Sequence, residues 1–219
     1  VDDRIASGRL SFRNIHYLPA GATIYGADAG VGYEYDGKAY DARWEHTNGP
    51  AKGWQCSTCH LADHTFEAQI TAGACAGRHS EARGDGHMIR SNRGTDYNGN
   101  GNNTEPLADE MMSYGEGLYA AILAHAKDVI GVGIVYDSHE YPYFFQDADN
   151  NGEPDPDPDE EGEFLSYGDW DDALLKATFN YQYWQKEPGA WAHNTHYMMQ
   201  LLYDSIDDLK GDVSQLTRP

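Results

Sequence analysis

The sequence predicts a mainly α protein with long irregular loops and a small β-hairpin. Three observations predict it. Apolar residues recur at steps of three and four through most of the second half. Residues 46–104 are rich in Gly, Asn and His and carry no period. Near the start, Asp36-Gly37 separates two short tyrosine-rich runs.

Residues 10–25 read as irregular, with His16 between Ile15 and Tyr17. Gly32-Tyr33-Glu34-Tyr35 and the run Lys38-Ala39-Tyr40-Asp41-Ala42-Arg43-Trp44 flank Asp-Gly, which favours a type I′ turn. This is the expected hairpin. Pro106 suits a first helical turn. From there Leu107, Met111, Tyr114, Leu118, Ile122, His125 and Val129 share one helix face, and Gly131 can end it. Asp169 is the expected cap of a second helix, running to about Lys186 and stopped by Pro188-Gly189. A third is expected over residues 190–209, with Trp191, Met198, Leu202, Ile206 and Leu209 on its stripe.

Within the aperiodic stretch lies Cys56-Ser57-Thr58-Cys59-His60. C-x-x-C-H is the attachment pattern of a c-type haem. The two thiols add to the porphyrin vinyl groups, and the next histidine reaches the iron. A partial copy follows, Cys75-Ala76-Gly77-Arg78-His79, with Arg where the second Cys would stand. It reads as a degenerate site in which Cys75 gives one thioether and His79 ligates the iron. The bland alternative is a free thiol beside an unrelated His. Covalently held haem also explains a loop of this length, because the cofactor supplies apolar surface that the segment lacks. The loops are thus haem-wrapping. The chain divides into a haem-binding region with the hairpin, 1–104, and a helical region with an acidic calcium-type loop, 105–219, in one integrated domain.

A low-spin haem has two axial ligands. His60 and His79 are the proximal candidates. Distal ligands must come from His16, His46, His64, His87, His125, His139, His193 and His196, in the preferred order His16, His193, His64, His46. Met88 is a weaker alternative. His125 lies in an apolar stripe, where a lone His is more often a hydrogen-bonded core residue.

Two loops suit calcium. Asp147, Asp149, Asn151, Gly152 and Asp155 follow D-x-D-x-N-G-x-x-D, the opening of an EF-hand-like loop. Position 12 is Pro158, so Asp159, Glu160 or Glu161 would have to supply the missing Glu. Twelve acidic residues and no Lys or Arg lie from Asp147 to Asp172, and without a cation the segment should stay extended. The looser candidate is Asp96, Asn98 and Asn100 before Gly101, with Glu105 nearby; its bland alternative is an Asn-Gly turn cluster.

Composition narrows the partners. The formal charge is −21, which repels nucleic acid and anionic lipid and attracts cations. The three Cys are used up by the two frames, so no disulfide framework is expected. No run of 18 apolar residues is present, so no membrane span is expected. Val1-Asp2-Asp3-Arg4 does not read as a signal peptide. Haem attachment occurs outside the cytoplasmic membrane in bacteria, which implies that a leader or upstream region has been removed.

Phe12 to Thr23, the C-x-x-C-H frame, Asn180 to Lys186, and Ala192-His193-Asn194 through Leu201 to Ile206 together resemble multihaem c-type cytochromes, in the C-terminal region of the large polyhaem proteins of metal-respiring bacteria. The resemblance implies a multihaem-cytochrome-like fold and bis-histidine haem c, one copy at Cys56/Cys59/His60 and a second at Cys75/His79. It implies electron transfer in the periplasm or outside the cell, between other redox proteins or along copies of itself in a polymer. Arg78 departs from the family pattern and could pair with a propionate. With at most two haems, the chain reads as a fragment, a reduced paralogue or a polymer subunit. Bis-His ligation and the acidic charge favour ferric iron, hence a potential below that of His/Met cytochromes. Two other classes compete. A peroxidase or small-oxyanion reductase needs an open iron site. A zinc module would use Cys56, Cys59, His60 and His64, four ligands in an unusually tight span.

Overall fold

The computed structural model describes residues 12–15, 19–44, 56–60, 79–80, 85–90 and 94–219. Its core is built by three helices: α3 (Leu107–His125), α4 (Asp172–Gln185) and α6 (Thr195–Asp208). Each packs on the other two. Shorter elements surround them: α1 (Ala20–Tyr25), α2 (Cys56–Cys59), α5 (Ala190–His193), and strands β1 (Ile134–Tyr136) and β2 (Phe144–Gln146).

The stripe expected on the first long helix is the one that is buried. Leu107, Met111, Tyr114, Leu118 and Ile122 all face the core. Its far end departs from the expectation. Residues Ala126–Ile130 form a π turn before Gly131 closes the helix with φ of 88°. The wider turn shifts the register, so Ala126 is buried and Val129 is 67% exposed. α6 buries Met198, Met199, Leu201, Leu202 and Ile206, a band too wide for a surface helix, because α3, α4 and residues 32–44 enclose it.

The second helix is capped by Asp171, not Asp169. The Asp171 carboxylate accepts the Leu174 amide at 2.7 Å. It also takes His125 Nε2 at 2.7 Å, which ties the end of α3 to the start of α4. Trp170, one residue earlier, is in the core with its indole nitrogen on the Tyr167 carbonyl, and this fixes which Asp reaches the cap. The third helix is two helices. Asn194, with φ of −164°, separates α5 from α6 and accepts the Tyr197 amide as the cap of α6.

The hairpin lies elsewhere than expected. Residues 35–38 do turn, with Lys38 N donating to Tyr35 O and Gly37 at φ of 76°. The flanking runs form no ladder. Their backbone groups bond to side chains instead: Tyr33 to Asn180 at 2.7 and 2.9 Å, Tyr35 N to the Tyr40 hydroxyl, and Asp41 N to Gln200. The two-stranded antiparallel sheet is β1 with β2, pairing Ile134 with Gln146, Val135 with Phe145 and Tyr136 with Phe144. The acidic segment is not extended either. Asp155 N donates to Gln146 O, Leu165 N to Asp155 O and Gln146 N to Leu165 O, so it folds back along β2.

Gly115 sets the spacing of α3 and α4. A β-carbon there would lie 2.2–2.6 Å from three atoms of the Trp184 ring. Helix propensity favours Ala over Gly by about 1 kcal/mol. Overpacking costs about 1–3 kcal/mol and acts the other way. Gly115→Ala is therefore expected to lower the melting temperature by several degrees; an increase would mean that Trp184 moves aside freely.

Candidate haem site

Cys56 and Cys59 stand three apart on the single turn of α2 and so share a face. Both are thiols; Cys56 is exposed and Cys59 half-buried. His60 N donates to Cys56 O at 2.8 Å, continuing the turn, so the imidazole emerges beside the thiols.

The His60 ring faces His193, with centres 6.1 Å apart and planes at 47°. A metal-bound imidazole nitrogen lies about 2 Å from its ion, and the ring centre about 1 Å beyond, so two rings on opposite sides of one ion have centres about 6 Å apart. The observed separation has this size. Three residues in one frame, Cys56, Cys59 and His60, and a fourth, His193 from α5, thus form a donor set suited to a covalently tethered haem.

His193 is held from behind. Its Nδ1 lies 3.0 Å from Oε1 of Glu187. Glu187 also accepts the Gly189 amide at 3.1 Å and the Thr23 hydroxyl at 3.4 Å. Thr23 in turn meets the Tyr183 hydroxyl at 3.0 Å. Burial pushes the Tyr183 phenol up to about 12, so it remains a donor at neutral pH. α1 and α5 pack together, which brings Thr23 to this network.

The break at Asn194 separates the two histidines that an unbroken helix would place on one side. His196 is spent on other contacts: Nδ1 lies 3.1 Å from Asp41 Oδ2 and Nε2 lies 3.0 Å from the Tyr97 hydroxyl. His125 serves the Asp171 cap. His87 is exposed and lies 5.6 Å from the Trp191 ring centre. His139 and Met88 are exposed, and His79 is half-buried. His16, His46, His64, Cys75 and Arg78 lie outside the described residues.

The two acidic loops share one local pattern. The first Asp of each accepts two loop amides: Asp147 those of Asn151 and Gly152, Asp96 those of Gly99 and Gly101. Asp149 and Asn98 each accept the amide two residues on. Asp155 accepts the Ala148 amide. Asn100 donates to both Glu105 oxygens, at 2.9 and 3.0 Å. Among the described residues, the carboxylates that gather within 4.8 Å of one another are Asp96, Glu105 and Glu110. Glu110 was not a sequence candidate, since an acid in a first helical turn reads as dipole compensation. It is buried against Arg90 and accepts the Tyr97 amide. Burial raises its carboxyl above the usual range, and the Arg90 guanidinium opposes the rise.

The chain is similar to the C-type polyheme cytochrome OmcB of Geobacter sulfurreducens, in each of two strains, at 30% identity over 92% of this chain and 28% of the relative. It is 28% identical to OmcC of Geobacter sulfurreducens over 92% of this chain and 27% of that protein. These relatives, with the C-x-x-C-H frame, support reading the chain as a multihaem c-type cytochrome sequence. It spans just over a quarter of the length of the curated relatives it matches, 27–28%. No protein-family model matches the chain, and no solved structure does. Among the described residues, no helix is long and apolar enough to cross a membrane.

Asn194 carries the geometry of the site. Its side chain caps α6 and donates to the Ala42 carbonyl at 3.1 Å, and it is fully buried. Asn194→Ala removes both bonds and is expected to cost about 1–2 kcal/mol. A denaturant midpoint equal to that of the parent would contradict this role.

Proposed function

We propose that this chain is an electron carrier with one or two covalently bound low-spin haems. Cys56 and Cys59 would tether the first haem, and His60 and His193 would hold its iron. The observation that carries the reading is the 6.1 Å His60–His193 approach beside the two thiols. When bound, the haem iron supplies a one-electron couple. The protein's own part is to tether the ring, fill both axial positions and hold the histidines in place. A second haem is assigned to Cys75 and His79, with Arg78 toward a propionate and a distal ligand among His16, His64 and His46. Electrons pass to other redox proteins, or between copies of the chain in a polymer, in the periplasm or outside the cell. Similarity to two polyheme cytochromes supports the electron-transfer role.

A haem enzyme would need an open iron position. An imidazole facing His60 argues against one. Calcium completes the proposal: Asp96 and Glu105, joined by Glu110, with Asn98 and Asn100 beside them, form one site, and Asp147, Asp149, Asn151 and Asp155 form the other.

Three measurements test this reading. After denaturation and acidified organic extraction, the pigment is expected to stay with the polypeptide; pigment in the solvent would refute covalent attachment. His193→Ala is expected to give high-spin spectral features, whereas His196→Ala keeps the low-spin spectrum; the reverse pattern would overturn the axial assignment. Excess chelator is expected to lower the melting temperature, and an unmoved transition would remove calcium from the account.

A further inference from the structure

Glu187 is 2% exposed, and among the described residues its ion-pair partner is His193. Its other hydrogen bonds come from neutral donors, the Gly189 amide and the Thr23 hydroxyl. A carboxylate taken out of water without a compensating positive group is strongly disfavoured. An imidazole bonded to iron supplies that compensation, because the metal draws electron density from the ring and polarises its remaining N–H. Histidines that ligate metals regularly donate that second N–H to a carboxylate.

The backbone is shaped for the same contact. Pro188-Gly189 follows the end of α4 and turns the chain into the short helix α5, which carries His193 to Glu187. A β-carbon on Gly189 would lie 2.6 Å from His193 Cε1, 2.9 Å from Nδ1 and 3.2 Å from the Glu187 oxygen. The imidazole therefore rests on bare backbone. The Thr23 hydroxyl, itself 3.0 Å from the Tyr183 hydroxyl, donates to the other carboxylate oxygen.

We propose that Glu187 is a positioning residue for the axial histidine: its carboxylate accepts the Nδ1 proton of His193, commits Nε2 to the iron, and by its negative charge favours the oxidised haem. This rests on the reading that His193 is an iron ligand. Gly189 is its steric companion, since only a residue without a side chain lets the ring reach the carboxylate.

The test is a redox titration of the haem-loaded protein. Glu187→Gln keeps the size of the side chain and a carbonyl that can accept the proton, but removes the charge. It is expected to keep the low-spin bands and to shift the ferric–ferrous equilibrium toward ferrous by about tenfold, or about 59 mV for a one-electron couple. Glu187→Asp retains the charge and is expected to stay closer to the parent potential. A low-spin Glu187→Gln protein with the parent potential overturns the proposal. Should that variant fail to fold, the redox-induced infrared difference spectrum of the unmodified protein, labelled with 13C-carboxyl glutamate, decides. A buried carboxylate band that shifts between oxidation states supports the proposal, and its absence refutes it. His193→Ala separates the two levels. If no high-spin features appear in it, the ligand assignment itself fails. If they appear while Glu187→Gln titrates like the parent, only the positioning role fails.

Discussion

One interruption in the chain governs the site: the break at Asn194. An uninterrupted helix over residues 190–209 would set His193 and His196 three apart on one side. Asn194 leaves helical geometry, caps α6 with its side-chain oxygen and holds Ala42 with its amide. His196 then turns to Asp41 and Tyr97, and His193 to Glu187 and the His60 ring. The same few polar side chains anchor the extended stretch 32–44. Asn180 holds Tyr33, Gln200 holds Asp41, and Arg218 reaches from buried Asp204 to the Ala39 carbonyl. These bonds hold residues 32–44 on the helical second half.

The first and third long helices were legible because their stripes follow a 3.6-residue period and bury most of what the period selects, and the second because an Asp cap and a Pro-Gly stop bracket it. Their ends were less so. Asp169 and Asp171 have equal capping chemistry, and only the burial of Trp170 and the reach of His125 separate them. The Asp36-Gly37 turn was legible; the ladder expected beside it was not formed, because its backbone groups bond to side chains well over a hundred residues away and to the backbone of residues 24 and 27. Local patterning cannot register a competitor at that distance. The strands that do pair are three residues each, too short to stand out from the sequence around them.

At the site, the C-x-x-C-H frame was readable in full, because attachment chemistry fixes its spacing. His193 was ranked among several histidines, and the fold sets it apart by bringing it to His60. Glu187 gave no signal, since a Glu before Pro-Gly reads as the polar end of a helix. Glu110 was hidden in the same way at a helix start. Both gain their roles from burial, which depends on elements distant in sequence. The chain's charge of −21 would add a general field favouring ferric haem, while a single buried carboxylate against the His193 ring would act at short range, where screening by salt is weak.

The central claim is that His60 and His193 grip the same iron. Anomalous diffraction from crystals of the haem-loaded protein at the iron absorption edge tests it without substitution. The account predicts an iron peak between the two rings, about 2 Å from a nitrogen of each. An iron on His60 with any other residue opposite, or no iron beside Cys56 and Cys59, would contradict it.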